Sequence, residues 1–184
     1  MADNLSNIMF KLETERLIIR PISIIDAAFM LQLMNTKGWL GFIGDRNVKD
    51  RTAASNYILT RIIPSYHSYG FGLYLVILKN KNTPVGICGL VKRDGLDYPD
   101  LGFAVLPEYE RQGYTSEASE TILEYAENKL KIPMVYGITT QSNFAAIRVL
   151  EKQGLRFQKT VLLPQNKNEF LLFAKALHKE DAAP

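Results

Sequence analysis

The stretch from Asp100 to Ala118 carries the residue types most able to do chemistry. An apolar run ends at Pro107, a short polar loop containing Arg111, Gln112 and Gly113 follows, and a helical pattern starts at once. Proline lacks an N–H, so a ladder of strand hydrogen bonds stops there. The loop after it can present free backbone N–H groups at a helix N-terminus, an arrangement that binds phosphate through bare donors and the helix dipole. Gly113 admits a close backbone approach, and Arg111 adds a permanent positive charge. The same residues serve equally well as a plain turn before an amphipathic helix, since one glycine is a weak signal.

Other chemistries find no footing. There is no G-x-x-x-x-G-K-[ST], no G-x-S-x-G and no complete G-x-G-x-x-G, because Gly70-Phe71-Gly72 runs into Leu75 where a third glycine is needed. One cysteine excludes an intramolecular disulfide and a thiolate zinc cluster. His67 and His178 are the only histidines, so no metal site is expected. Cys88, between Ile87 and Gly89, reads as a buried structural thiol, and His67 as a surface or helix-end residue.

The elements that must position the loop follow from periodicity. Leu17–Arg20, Phe71–Leu78, Val85–Val91, Leu101–Leu106, Val135–Thr140, Phe157–Leu163 and Phe170–Leu177 read as strands. Ile24–Asn35, with Ile25, Ala28, Phe29 and Leu33 on one face, reads as a helix. So do Val48–Ile63, Thr115–Lys131 and Phe144–Gln153, the last stopped by Gly154. Pro64 is expected to interrupt or bend its helix, and the glycine- and aromatic-rich segment from Gly38 to Arg46 to be a loop. The order β-α-α-β-β-β-α-β-α-β-β argues an α+β domain around one mixed sheet.

The chain has 184 residues, 47% of them hydrophobic and 22% charged, which fits one globular domain over 1–184 with its core at about 10–177. Residues 1–8 and 179–184 are expected to fray. The net charge of +3 is too small to argue for nucleic acid. No apolar run approaches the roughly 20 residues of a spanning helix. With no leader and a lone cysteine, the cytoplasm is the expected compartment.

The segment after Leu101 resembles motif A of the GNAT superfamily of acyl-CoA-dependent N-acetyltransferases, V-x-x-x-x-[QR]-x-x-G-x-[GA]. Val105 and Gly113 match, while Glu110 and Thr115 depart from it. Pro107, Glu108, Tyr109, Gly113, Tyr114, Glu117 and Ala118 match a longer form, P-E-Y-x-x-x-G-Y-x-x-E-A, similar to the RimJ/RimL-like branch that acetylates ribosomal-protein N-termini. Leu12–Arg20 and Pro84–Leu90 resemble that branch's first and third strands. Asn143–Leu155 resembles its motif B, N-x-x-S-x-x-x-x-E-K-x-G-F, through Asn143, Glu151, Lys152 and Gly154, with Ala146 and Leu155 departing.

The resemblance implies a GNAT-like sheet whose parallel strands Leu101–Leu106 and Val135–Thr140 splay apart to admit pantetheine. It implies acetyl-CoA as donor and an amine as acceptor. Val105 and Leu106 would pair with pantetheine by backbone. Arg111, Gln112, Gly113, Tyr114, Thr115 and Ser116 would hold the pyrophosphate, and Asn143 would touch CoA. A backbone N–H near Val105 would stabilise the oxyanion. Asp100, where the branch often has Glu, is the candidate base, set against a plain strand-edge carboxylate. Leu150 and Ala146 replace the Tyr and Ser that act as general acid elsewhere in the family, leaving Tyr114, Tyr109 or a water. The Gly38–Arg46 segment would border the acceptor, with Trp39 as an aromatic wall and Asp45 and Arg46 recognising the amine. Core packing of Trp39 and a turn role for Asp45 stand beside that reading. A non-catalytic acyl-CoA-binding domain is the alternative function, and the last hairpin is a candidate homodimer surface.

Overall fold

The computed structural model describes residues 10–164 and 168–177. The termini expected to fray, and His178, lie outside the described residues. A short β1 (Leu12–Glu13) pairs with β2 (Leu17–Pro21), which runs antiparallel to β3 (Leu73–Leu78). Then come β4 (Thr83–Val91), β5 (Asp100–Val105) and β6 (Met134–Thr139), and the chain closes with β7 (Arg156–Leu162) and β8 (Glu169–Ala176). All eight form one sheet in the order β1-β2-β3-β4-β5-β6-β8-β7. Every neighbouring pair is antiparallel except β5–β6.

Between β2 and β3 lie α1 (Ala27–Met34), α2 (Lys37–Phe42), α3 (Arg51–Tyr57) and α4 (Ile63–Tyr69). They cover one face of the sheet, burying Met30, Leu33, Trp39, Ala54, Ile58 and Ile62 against Leu75, Ile77 and Ile87. On the other face α5 (Tyr114–Asn128) lays Ala118, Ile122, Leu123 and Ala126 over Leu17, Ile19, Val76 and Leu101. Leu150 of α6 (Phe144–Lys152) extends that core to Val135 and Phe173. Fully burying one such aliphatic side chain stabilises the fold by roughly 1.5–3 kcal/mol.

Three local expectations need correction. The helix read from Ile24 begins at Ala27, because Ile24–Asp26 forms a 3₁₀ turn. The buried stripe shifts with it to Ala27, Met30, Leu33 and Met34, and Ile25 is left 76% exposed. The segment read as loop contains α2, started by the Thr36 side chain, which accepts a hydrogen bond from the Trp39 N–H at 3.2 Å. Pro64 neither ends nor breaks the helical run. A π turn over Ile58–Ile62 resets the ladder, the Ile63 N–H donating to the Ile58 carbonyl, and Pro64 falls in the first turn of α4, where a missing N–H costs nothing.

Candidate active site

The gap between β5 and β6 is built into the ladder. The two strands meet at a single point, Asp100 opposite Tyr136, where the Tyr136 N–H donates to the Pro99 carbonyl at 2.9 Å. Beyond it they separate. The Leu106 N–H donates to Val85 of β4 at 2.8 Å, so by alternation Gly102 and Ala104 also face β4, and Phe103 and Val105 turn their backbone groups towards β6. On the other side the Leu177 N–H bonds the Pro133 carbonyl. Val135, Gly137 and Thr139 therefore face β8, and Ile138 faces the gap. Phe103, Val105 and Ile138 thus line a cleft with backbone donors and acceptors that no strand pairing consumes. Leu106 departs from expectation: its N–H is taken by Val85 and its side chain is buried in the core. Phe103, which the sequence pattern did not single out, takes its place, because only register reveals which alternate residues face the opening.

The cleft opens onto the turn after Pro107. Pro107–Tyr109 makes one 3₁₀ turn, closed by Tyr109 N–H to Leu106 and Glu110 N–H to Pro107. From there the backbone donors fall silent. The N–H groups of Arg111, Gln112, Gly113, Tyr114, Thr115 and Ser116 donate to no described protein acceptor, and the ladder resumes at Glu117, which bonds the Gly113 carbonyl at 3.0 Å. Arg111 and Gly113 both sit in the left-handed region, at φ 59° and 84°. Alternating left-handed residues gather successive N–H groups into a concave nest. Gly113 is the N-cap of α5 and brings no capping side chain. The nest and the positive end of a fifteen-residue helix coincide there. A concave run of free N–H groups at a helix N-terminus suits an anionic group such as a diphosphate.

At the closed end of the cleft Asp100 is 1% exposed. Its Oδ1 accepts from Arg93 Nε at 2.6 Å. Burial pushes the Asp100 carboxyl above its ordinary range, against the pull of the Arg93 charge. It is not the solvated edge carboxylate of the plain reading, and as the candidate base it is held in an ion pair with Arg93. Arg93 was missed, because nothing in the spacing of residues 93 and 100 announces a pair closed by a loop.

The other predicted residues separate. Asn143 caps α6, its Oδ1 accepting from the Ala146 N–H at 3.1 Å, which leaves its amide NH₂ for a ligand. Leu150 is buried against Gly137, where an added Cβ would come within 2.5 Å of Leu150 Cδ2. Trp39 is 4% exposed inside the core of α1–α4, so it forms no open wall; its Nε1 has no partner among the described residues. Asp45 accepts from the Asn47 N–H at 2.7 Å and pairs with Lys49 at 2.8 Å, and Arg46 donates to the Ile43 carbonyl at 3.5 Å. These are turn contacts at the surface, and they draw Asp45 and Arg46 into local structure. Cys88 is buried, 3.6 Å from Ser119 Oγ. No group of three or more metal-ligating side chains is gathered among the described residues, and no helix among them is long and apolar enough to cross a membrane.

Comparison with known proteins converges on one family. Residues 16–156 match the acetyltransferase (GNAT) domain family. The uncharacterized N-acetyltransferase YoaA of Bacillus subtilis is 25% identical over 156 residues, 84% of this chain and 86% of YoaA. YnaD of the same organism, also an uncharacterized N-acetyltransferase, is 30% identical over 81 residues, and there the match spans about half of YnaD, 48%. An acetyltransferase from Agrobacterium tumefaciens superposes with a TM-score of 0.77 at 20% identity, covering 93% of this chain and 95% of that one. RimL, a ribosomal L7/L12 alpha-N-protein acetyltransferase in complex with coenzyme A, does so with a TM-score of 0.77 at 14% identity, covering 91% and 98%. A domain match over most of the chain, on a sheet splayed at its one parallel pair, makes this protein a member of the GNAT acetyltransferase family.

Proposed function

We propose that the protein is an acetyl-CoA-dependent N-acetyltransferase that moves an acetyl group directly to a primary amine, with an α-amine favoured over a lysine side chain. The observation that carries this reading is the run of six uncommitted N–H groups, Arg111 to Ser116, at the mouth of the β5–β6 cleft. Acetyl-CoA supplies an activated thioester. Arg111 to Ser116 hold its diphosphate, and the amide NH₂ of Asn143 is available to its arm. Phe103, Val105 and Ile138 pair with pantetheine through their backbones. The amine nitrogen attacks the thioester carbonyl, the C–N bond forms, and the C–S bond breaks with its electron pair leaving on sulfur. The Val105 N–H, fixed by the β4–β5 ladder, faces the developing oxyanion and needs no reorganisation. Placement of two bound reactants supplies much of the rate.

The ammonium first gives one proton to Asp100, directly or through water, once the amine displaces Arg93; the neutral amine then attacks, and its nitrogen gives a second proton to water as the amide forms. The thiolate takes its proton from water, because the Tyr114 ring lies against Arg16 beside the nest, at the diphosphate end of the pantetheine arm. Deprotonating an α-amine of pKa about 8 at pH 7 costs roughly 1.4 kcal/mol, and a lysine at about 10.4 roughly 4.6 kcal/mol. A base already committed to an ion pair therefore suits the α-amine.

A thermal shift with CoA, then a thiol-release assay over a panel of α-amines, polyamines and lysine peptides, tests the proposal. The expected result is a rise in melting temperature and turnover highest with an α-amine. A CoA-induced shift with no turnover on any amine replaces the enzyme by a non-catalytic CoA-binding domain.

A further inference from the structure

The turn between β1 and β2 touches both the diphosphate nest and the first turn of α5. Arg16 Nη1 donates to the Gln112 carbonyl at 3.0 Å. Arg16 Nε and Nη2 engage Glu117 Oε2 at 2.7 and 2.6 Å. The Arg16 backbone N–H donates to Glu117 Oε1 at 3.1 Å, and Thr14 Oγ1 donates to the same oxygen. The guanidinium carbon lies 4.7 Å from the centroid of the Tyr114 ring. Thr14 is itself held, its hydroxyl accepting from the Leu17 N–H at 2.8 Å.

We propose that Arg16 and Glu117 are positioning residues for the donor, a clamp that aims the amides of the nest outward without touching the ligand. This rests on the acetyl-CoA reading above. Peptide planarity gives the reason. In a trans peptide the C=O and the next N–H point in opposite directions. Fixing the Gln112 carbonyl on Arg16 therefore fixes the Gly113 N–H on the opposite, uncommitted side. Holding Glu117 fixes the first turn of α5, and with it the N–H groups of Tyr114, Thr115 and Ser116. The arginine side chain is 44% exposed and that of Glu117 20%. An ion pair that open adds little to global stability, so its geometry matters more than its energy. The Glu117 carboxylate also neutralises Arg16, which unfits it as a direct anion ligand. A lysine cannot replace it, because one ammonium cannot bridge the Glu117 carboxylate and the Gln112 carbonyl with a planar fork.

The two roles give opposite signs in one experiment. Glu117→Gln removes a negative charge beside the anion site, so bare electrostatics predicts tighter CoA binding. A clamp predicts weaker binding. Calorimetry with CoA on the full chain is expected to show about a threefold rise in Kd for Glu117→Gln and roughly tenfold for Arg16→Ala, with Arg16→Lys nearly as weak as Arg16→Ala. Turnover with S-acetylpantetheine, which has the thioester arm and no phosphate, is expected to stay within about twofold of wild type in all three, because the nest plays no part in it. Tighter binding by Glu117→Gln, or full binding by Arg16→Lys, overturns the clamp and makes Arg16 a plain charge. Equal losses with acetyl-CoA and S-acetylpantetheine also overturn it, since general damage to the fold then accounts for both. If the wild type itself fails to bind CoA, the acetyl-CoA reading falls and the clamp with it. Binding by the wild type with unchanged Kd in every variant removes the clamp alone.

Discussion

At the scale of single residues, backbone geometry and burial decide more than side-chain identity does. Gly113 holds φ at 84°, and a Cβ there would come within 3.3 Å of Arg16 Nη2. Gly113→Ala strains the left-handed backbone by about 1–2 kcal/mol and crowds the guanidinium. The expected outcome is a lower melting temperature together with a smaller CoA-induced shift, both read by thermal denaturation. Asp100 gives a test by pH. Its folded carboxyl is raised by burial, so the fold favours the protonated form. That contribution is present below the unfolded value of about 3.9 and is lost as pH rises through the raised folded value. Asp100→Asn should therefore gain on wild type in melting temperature as pH climbs out of that window. If Asp100 also takes the amine's proton, the same variant lowers kcat by about a hundredfold and erases the acidic limb of the rate profile. An unchanged rate with the shifted stability profile leaves Asp100 as a hairpin staple to Arg93.

At the scale of elements, the question is how helices and strands are held in the phase that opens the cleft. The start of α1 is fixed by Asp26, buried at 7%, which takes two hydrogen bonds from Arg20 of β2, both at 2.8 Å, and one from the Ser23 N–H at 2.9 Å. Burial alone would raise the Asp26 carboxyl, but the Arg20 and Ser23 contacts outweigh it and hold it below its ordinary range. Asp26→Ala leaves Arg20 half-buried without its partner and is expected to cost about 3 kcal/mol, measured by urea unfolding. That Asp26 lies near the start of a helix was legible from the periodic run that begins at Ile24. Its buried fork with Arg20 was not, because residues 20 and 26 are joined by a 3₁₀ turn that the periodicity hid. The same turn displaced the predicted apolar stripe of α1. By contrast α5, with no such irregularity, buries Ile122, Leu123 and Ala126 of the stripe its pattern predicts, while Leu130, the fourth member, lies past its end at Asn128 and is half-buried.

At the scale of the whole molecule, ligand binding and global opening should move together. Cys88 is fully buried in the core between the sheet and α5, and burial pushes its thiol up to about 12. A thiol reagent should not reach it in the native state at pH 8, so its labelling reports opening of that core. CoA at a hundred times its Kd stabilises the native state by about 2.7 kcal/mol, which slows such labelling roughly a hundredfold. Stopped labelling assays with and without CoA check this. Rapid labelling of Cys88 in the folded protein would contradict the packing of α5 on β4.

What the sequence determined by itself is local and periodic. Alternation marked seven of the eight described strands, and Pro107 and Gly113 marked the turn, because proline lacks an N–H wherever it stands and glycine takes a positive φ without strain. The order of elements then left a mixed sheet as the consistent arrangement. The tertiary structure alone decided which side of each strand faces the cleft, turning Phe103 and Ile138 into its lining and withdrawing Leu106. It also joined Arg16 to Glu117 and Arg93 to Asp100, and it placed Trp39 in the core. Those outcomes depend on register and on contacts between segments far apart in the chain, where a shift of one residue exchanges the two faces of a strand.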